Sequence, residues 1–166
     1  MSETAPRTPQ QLFERLDELG IKTQTTHHPP VFTVEEARLH RGEMLGTHIK
    51  NLFLRNKKKR MWLVVTEADQ TIDLKALGKT IGAGHVSFGS KQRLLQYLGV
   101  QAGSVTPFAL INDSQQQVSV VLDRSVLGSA PIYCHPLENT MTSAITADDL
   151  LKFIAACGHE VAIIDF

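Results

Sequence analysis

The residue whose type and position best suit chemistry is a lysine inside an otherwise apolar strand. Thr47-His-Ile-Lys-Asn-Leu-Phe-Leu-Arg55 reads as a half-buried strand, and alternation puts Lys50 on the same face as Leu52 and Leu54. A lysine on such a face either snorkels to water or points into a polar cleft that receives an anion. The strand runs on into Asn56-Lys57-Lys58-Lys59-Arg60 and a second apolar run, Met61–Thr66, so the pair forms a hairpin with a basic tip. Lys57, Lys58, Lys59 and Arg60 read either as a solvated turn or as a phosphate-contacting patch.

Other reactive side chains are arranged less suggestively. The seven histidines contain no His-x₃-His pair and the two cysteines no Cys-x₂-Cys pair, so the sequence implies no metal site and no disulfide framework. Cys134 and His135 are neighbours in a predicted strand and point to opposite sides, which excludes a nucleophile–base pair and makes Cys134 a small core residue. Gly82-Ala-Gly84 lacks the third glycine of a dinucleotide loop, and there is no Gly-x-Ser-x-Gly elbow. No pair of carboxylates suggests general acid–base work. An enzyme built from these parts carries out undemanding or substrate-assisted chemistry. Three elements remain that look purposeful together: Lys50-Asn51, the loop Gly103-Ser104-Val105-Thr106-Pro107, and His135-Pro136. Each also has an ordinary structural explanation, and spacing alone does not bring them together.

The elements that must position these residues follow from periodicity and punctuation. Thr8-Pro9-Gln10-Gln11 carries a capping box and opens a helix with Leu12, Phe13, Leu16 and Leu19 inward and Gly20 as its stop. Ile21–Thr26 reads as a strand, His27–Pro30 as an extended loop, and Thr33–Gly42 as a second short helix. After the hairpin comes a helical turn from Asp73 closed by Gly78, a loop at Ile81–His85, and a helix from Ser90 to Leu98. Phe108–Asn112 and Val118–Leu122 are expected to pair as a hairpin, followed by a strand at Ile132–His135. Thr146 caps a last helix, and Val161–Asp165 is a final strand. Hairpins mixed with helices, without regular strand–helix alternation, predict an α+β fold around a mixed sheet.

With 166 residues the chain suits one domain, 1–166, with residues 1–7 as a flexible start. The formal net charge is zero, which excludes a global field toward nucleic acid or membrane. Cations are nevertheless concentrated: residues 1–100 hold fifteen Lys/Arg against ten Asp/Glu, and residues 101–166 hold two against seven. Between Glu43 and Glu67 there is no acidic residue, so Lys57–Arg60 reads as a local patch, solvated or phosphate-contacting, on a neutral protein. Without a signal peptide, a bilayer-length apolar stretch or a lipidation motif, the sequence reads as cytoplasmic.

Several strings, His28-Pro-Pro-Val-Phe-Thr-Val-Glu-Glu-Ala37, Lys50-Asn-Leu-Phe-Leu54, Leu98-Gly-Val-Gln-Ala-Gly-Ser-Val-Thr-Pro107, and His135-Pro136 with Asn139 and Thr142, resemble the YbaK-like prolyl-tRNA editing family. These are free-standing deacylases related to the insertion domain of bacterial prolyl-tRNA synthetases. The Lys-Asn-Leu-Phe-Leu wording and Lys-Lys-Lys tip most resemble the alanyl-tRNA(Pro) deacylase branch, ProXp-ala. The resemblance implies a mixed, partly barrel-like β-sheet with flanking helices, no cofactor, and hydrolysis of the ester on the acceptor end of mischarged tRNA(Pro). It implies Lys50, Gly103 and His135 as catalytic residues, Asn51, Ser104, Thr106, Pro107 and Phe32 at the substrate, and Lys57–Arg60 at the tRNA. It also implies prolyl-tRNA synthetase as a partner and no membrane. Alternatives within the family are cysteinyl-tRNA(Pro) or other mischarged tRNAs. Outside it stand a non-catalytic nucleic-acid-binding module and a synthetase-associated regulatory domain.

Overall fold

The computed structural model describes residues 5–29 and 46–166, so Phe32 and the helix expected at Thr33–Gly42 lie outside the described residues. Helix α1 (Pro9–Glu18) begins as its sequence predicts. The Thr8 hydroxyl accepts from the Gln11 N–H at 3.2 Å, and the Gln11 side chain accepts from the Thr8 N–H at 2.9 Å. Leu12 and Leu16 on its inner face are fully buried. Gly20, at φ +72°, turns the chain into β1 (Gln24–His27). The Arg7 N–H donates to the Asn112 side chain at 2.8 Å, tying the entry to α1 onto the body of the domain.

The hairpin is β2 (Thr47–Asn56) and β3 (Met61–Glu67). Then come α2 (Leu74–Thr80), β4 (Val86–Phe88), α3 (Lys91–Leu98), β5 (Val118–Asp123), β6 (Ile132–Cys134), β7 (Met141–Ile145), α4 (Ala147–Ala156) and β8 (Val161–Ile164). The strands form one mixed, open sheet of eight, ordered β1-β7-β6-β2-β3-β5-β8, with β4 on β2. Pairs β2/β6, β3/β5 and β5/β8 are parallel; β1/β7, β6/β7, β2/β3 and β2/β4 are antiparallel. The fold is α+β around a mixed sheet, as the mixture of hairpins and helices implies.

Each face of the sheet has its own core. Odd-numbered residues of β2, Ile49 and Phe53 among them, face a large cluster with Leu63, Val65, Leu122, Phe108 and Phe153. Phe108 and Phe153 meet edge to face at 5.3 Å, locking α4 over that side. Leu52 and Leu54 face a smaller cluster with Trp62, Val64, Val86 and Val121, closed by Leu77 of α2. Lys50 shares this second face by alternation.

Several expectations are corrected. Phe108–Asn112 is a 3₁₀ helix from Pro107 to Asn112, not the hairpin partner of β5. Pro107 sits at the first position of that helix, and the Thr106 hydroxyl accepts from the Phe108 N–H. Phe108, Ala109 and Leu110 are buried consecutively, so no alternation distinguishes strand from helix in this run. Gly78 does not end α2 but lies within it, because a Cβ there would stand 2.0 Å from the Gly84 carbonyl oxygen. β4 follows the expected Ile81–His85 loop, and β7 takes its place among threonine and serine; neither strand is foreseen from composition.

Candidate functional site

β2 belongs to two partners on one edge and changes between them midway. β6 pairs with it at Thr47 and His48, and β4 pairs at Leu54–Asn56. The sheet therefore divides beside Ile49–Phe53, the stretch that carries Lys50. On the Lys50 face the opening is floored by His48 and Tyr133, whose rings lie 4.8 Å apart, and bounded at its other end by Leu54 and Phe88.

Register places a row of polar side chains across this opening. The parallel β2/β6 pairing, carried two residues past His48–Tyr133, sets Lys50 level with His135. The β6/β7 pairing carried one residue past Cys134–Ser143 sets His135 opposite Thr142, and Thr142 pairs with Thr26 of β1. On the other side Lys50 pairs with Thr66, whose hydroxyl donates to the Asp123 carboxyl at 2.7 Å. The row thus runs Thr26, Thr142, His135, Lys50, Thr66, Asp123. Such a polar row on a face otherwise built of leucine, valine and tryptophan requires hydrogen-bond partners or a ligand.

Lys50 is half-buried, and its ammonium donates to the backbone carbonyl of Gln70. That carbonyl is delivered by the turn after β3, where the Ala68 N–H donates to the His48 carbonyl at 2.8 Å and the Gln70 N–H to the Glu67 carbonyl at 3.0 Å. Among the described residues no carboxylate lies within ion-pair distance of this ammonium. The lysine is held in place, and among the described residues no ion pair neutralises its charge.

His135 Nδ1 lies 2.9 Å from the Met141 carbonyl oxygen. A carbonyl only accepts, so the neutral ring carries its proton on Nδ1 and presents the Nε2 lone pair. Burial lowers its pKa below the ordinary histidine range; the Met141 bond opposes this and the neighbouring His28 adds to it. His28 stands with its ring 6.2 Å from that of His135 and its Nε2 2.7 Å from the Thr142 hydroxyl. Beyond His135, a tight turn closes at Pro136 with the Leu137 N–H donating back to the His135 carbonyl at 2.9 Å. Leu137 is left at φ +72°, a region that non-glycine residues avoid, so the chain is bent sharply just beyond the histidine.

The other sequence-derived residues fall into three places. Asn51 is on the opposite face of β2 from Lys50, and its Oδ1 is buried without a hydrogen-bond partner among the described residues. Gly103 is exposed in a short 3₁₀ turn, Ala102–Ser104, whereas Ser104 is 5% exposed and spends its N–H on the Gln101 carbonyl. Thr106 and Pro107 are buried and open the 3₁₀ helix that follows. Val105 packs on the large core cluster, which lies on the face of β2 opposite Lys50. Lys57, Lys58, Lys59 and Arg60 are all exposed at the tip, which begins just past Asn56, the end of β2 six residues and thus about 20 Å from Lys50. The tip is fixed by Asn56, whose amide donates to the Ala83 carbonyl and whose Oδ1 accepts from the Arg60 N–H. Arg60 lies over the Trp62 ring at 5.6 Å.

His28, Thr66 and Asp123 escape sequence reasoning. The available signal is weak: Thr66 and Asp123 each close an apolar run, and only pairing of those two runs reveals them as neighbours. Cys134 is buried and its thiol is pushed far above the ordinary range, and burial pushes Cys157 up to about 12. Neither is a thiolate at neutral pH, so neither serves as nucleophile.

Comparison with known proteins places this geometry in context. Residues 28–153 match the profile of the aminoacyl-tRNA editing domain. The chain is 39% identical over 157 residues to the prolyl-tRNA editing protein ProX of Acetoanaerobium sticklandii, covering 94% of this chain and 96% of that one. It is 40% identical over 158 residues to the prolyl-tRNA synthetase associated domain-containing protein 1 of Danio rerio, covering 94% and 86%. In fold it is similar to a solved structure presented as a candidate trans-editing enzyme for prolyl-tRNA synthetase, with a TM-score of 0.72 at 19% identity over 95% of this chain and 96% of that one. The crystal structure of hypothetical protein APE2540 gives the same TM-score, 0.72, at 20% identity over 92% and 97%.

Proposed function

We propose, from the premise that this chain belongs to the aminoacyl-tRNA editing domain family, that it is a deacylase of mischarged tRNA(Pro) with alanyl-tRNA(Pro) as its substrate. What carries the reading is the β2/β6 register: continued two residues past its last pair, His48–Tyr133, it brings His135 to the level of Lys50 where the two strands part.

The reaction is hydrolysis of an activated ester. Water attacks the aminoacyl carbonyl carbon, the bond to the ribose oxygen breaks, and that oxygen leaves as a hydroxyl. With both cysteines protonated, the nucleophile is water, positioned or activated with the help of the vicinal ribose hydroxyl. The Lys50 ammonium leaves the Gln70 carbonyl for the terminal phosphate or the developing oxyanion, a charge-assisted contact in a partly dry site. The exposed Gly103 backbone turns its N–H to the ester carbonyl, because the Ser104 N–H already has an acceptor. The lone pair on His135 Nε2 accepts from the substrate α-ammonium, a role for which a neutral ring suits better than an imidazolium. Asn51 Oδ1, at the other side of the strand, has no hydrogen-bond partner among the described residues.

Editing of alanine follows from small energies. A synthetase pocket shaped for proline discriminates by only about 1–3 kcal/mol per methylene, so the smaller alanine enters it. A second site that excludes proline sterically repairs the error.

Deacylation of alanyl-, cysteinyl- and prolyl-tRNA(Pro) by wild type and Lys50→Ala tests the reading. Loss of alanine alone, abolished by the substitution, is the expected result. Release of cysteine instead would transfer the substrate assignment, and no turnover on any of the three would leave a nucleic-acid-binding module.

A further inference from the structure

Phe88 is 61% exposed, the most exposed large hydrophobic side chain among the described residues. It is not on a loose loop. Phe88 pairs with Leu54 in the β4/β2 ladder, the next N–H, that of Gly89, donates to the Phe53 carbonyl at 2.9 Å, and a Cβ on Gly89 would come within 2.4 Å of the Phe53 ring. The backbone thus holds an aromatic ring rigidly in solvent. Leu54 and Lys50 are four residues apart on one strand and share a face, so Phe88 lies at a level about 13 Å along β2 from Lys50. Two residues beyond Leu54 the strand ends in the exposed cations Lys57, Lys58, Lys59 and Arg60.

Lysine, exposed aromatic and cationic tip therefore succeed one another along the direction of β2, the aromatic being supplied by its neighbour β4. An aromatic platform beside a cationic track binds unpaired nucleotides, because every base has a π-face and every linkage a charge. We infer that Phe88 is the stacking platform for an unpaired base of the RNA acceptor end, roughly two nucleotides before the 3′ terminus. This rests on the deacylase reading for placing the terminal nucleoside at Lys50. It further sets the polarity of the RNA: the 3′ end at Lys50, the upstream phosphates at the tip.

The test uses an RNA hairpin with a four-nucleotide single-stranded 3′ end carrying 2-aminopurine two nucleotides from the terminus. Binding to wild type is expected to quench the fluorophore. Phe88→Ala is expected to remove the quenching and weaken binding about 5- to 150-fold, the range for loss of one base–aromatic stack. Phe88→Tyr is expected to restore both and Phe88→Leu neither, which separates stacking from mere apolar contact. Moving the fluorophore to the terminal position is expected to make quenching insensitive to Phe88. Equal binding and quenching by wild type and Phe88→Ala would overturn the proposal, even with alanyl-ester cleavage intact. Phe88-dependent quenching without cleavage of any aminoacyl ester would leave the stacking site standing and remove the deacylase reading instead.

Discussion

Replacing Lys50 by methionine separates the proposed chemistry from the fold. Methionine keeps an unbranched apolar stem on the face of Leu52 and Leu54 and removes only the charge and its hydrogen bond. A hydrogen bond from a charged group contributes about 1.5–3 kcal/mol, but burying the ammonium offsets much of it. The net stability change is therefore expected near 1 kcal/mol, a Tm shift of about 2–4 °C for a chain of this length. The rate is expected to change far more. Removing one preorganised stabiliser of a developing oxyanion costs about 10²–10³ in kcat. Single-turnover hydrolysis of alanyl-tRNA(Pro), with thermal melts on the same preparations, checks both numbers. Lys50→Arg keeps the charge but replaces a compact ammonium by a planar fork, and about tenfold loss is expected. A Lys50→Met protein that melts normally and deacylates within threefold of wild type would refute the electrostatic role of Lys50.

Other perturbations probe the surroundings. Burial and His28 lower the pKa of His135, so the unfolded chain binds its proton more readily than the folded one just below about pH 6.5. Stability from this ring is then present above that pH and is lost as pH falls through the folded pKa; deacylation should weaken in the same direction, and His28→Gln should shift the NMR titration of His135 upward. Gly78→Ala sets a Cβ against the Gly84 carbonyl oxygen, and chemical denaturation should show a loss of about 1–3 kcal/mol. Asp113 accepts from the Gln117 N–H at 3.0 Å, the Val118 N–H at 2.8 Å and His159 Nε2 at 2.8 Å in a buried setting. Asp113→Ala should cost about 3–5 kcal/mol on the same assay; a loss below 1 kcal/mol would contradict the burial argument.

What the sequence reveals here is mostly local. The capping box at Thr8, the caps at Ser90 and Thr146, and the β2/β3 hairpin all follow from residues a few positions apart, so composition suffices to place them. The left-handed Gly99, φ +67°, ends α3 just past Leu98, where the helix is expected to stop. Failures occur where distant contacts decide. Gly78 reads as a stop because its reason, the approach of Gly84, is six residues further on and across a turn. Phe108, Ala109 and Leu110 are buried one after another because α4 and the sheet close on them from several sides, which erases the period that would identify the run. The site divides in the same way. Lys50 stands out as an anomaly within its own strand, whereas Asp123, Thr66 and His28 acquire meaning only through pairing. Strand alternation, legible from the start, already places Asn51 and Lys50 on opposite faces.

The order of strands also governs when the site can exist during synthesis. β2 and β3 are complete once residue 67 has emerged, yet His135 and Thr142 arrive only with β6 and β7, which end at residue 145. At about 5–20 residues per second, those 78 further residues take roughly 4–16 s. Throughout that interval β2 waits for a parallel neighbour, and β1 waits for β7. A nascent chain therefore exposes Lys50 and the basic tip well before it has a histidine to set beside them. It is a cationic hairpin first and a completed polar row last, and its unpaired strand edges make this interval the one in which a chaperone has most to protect.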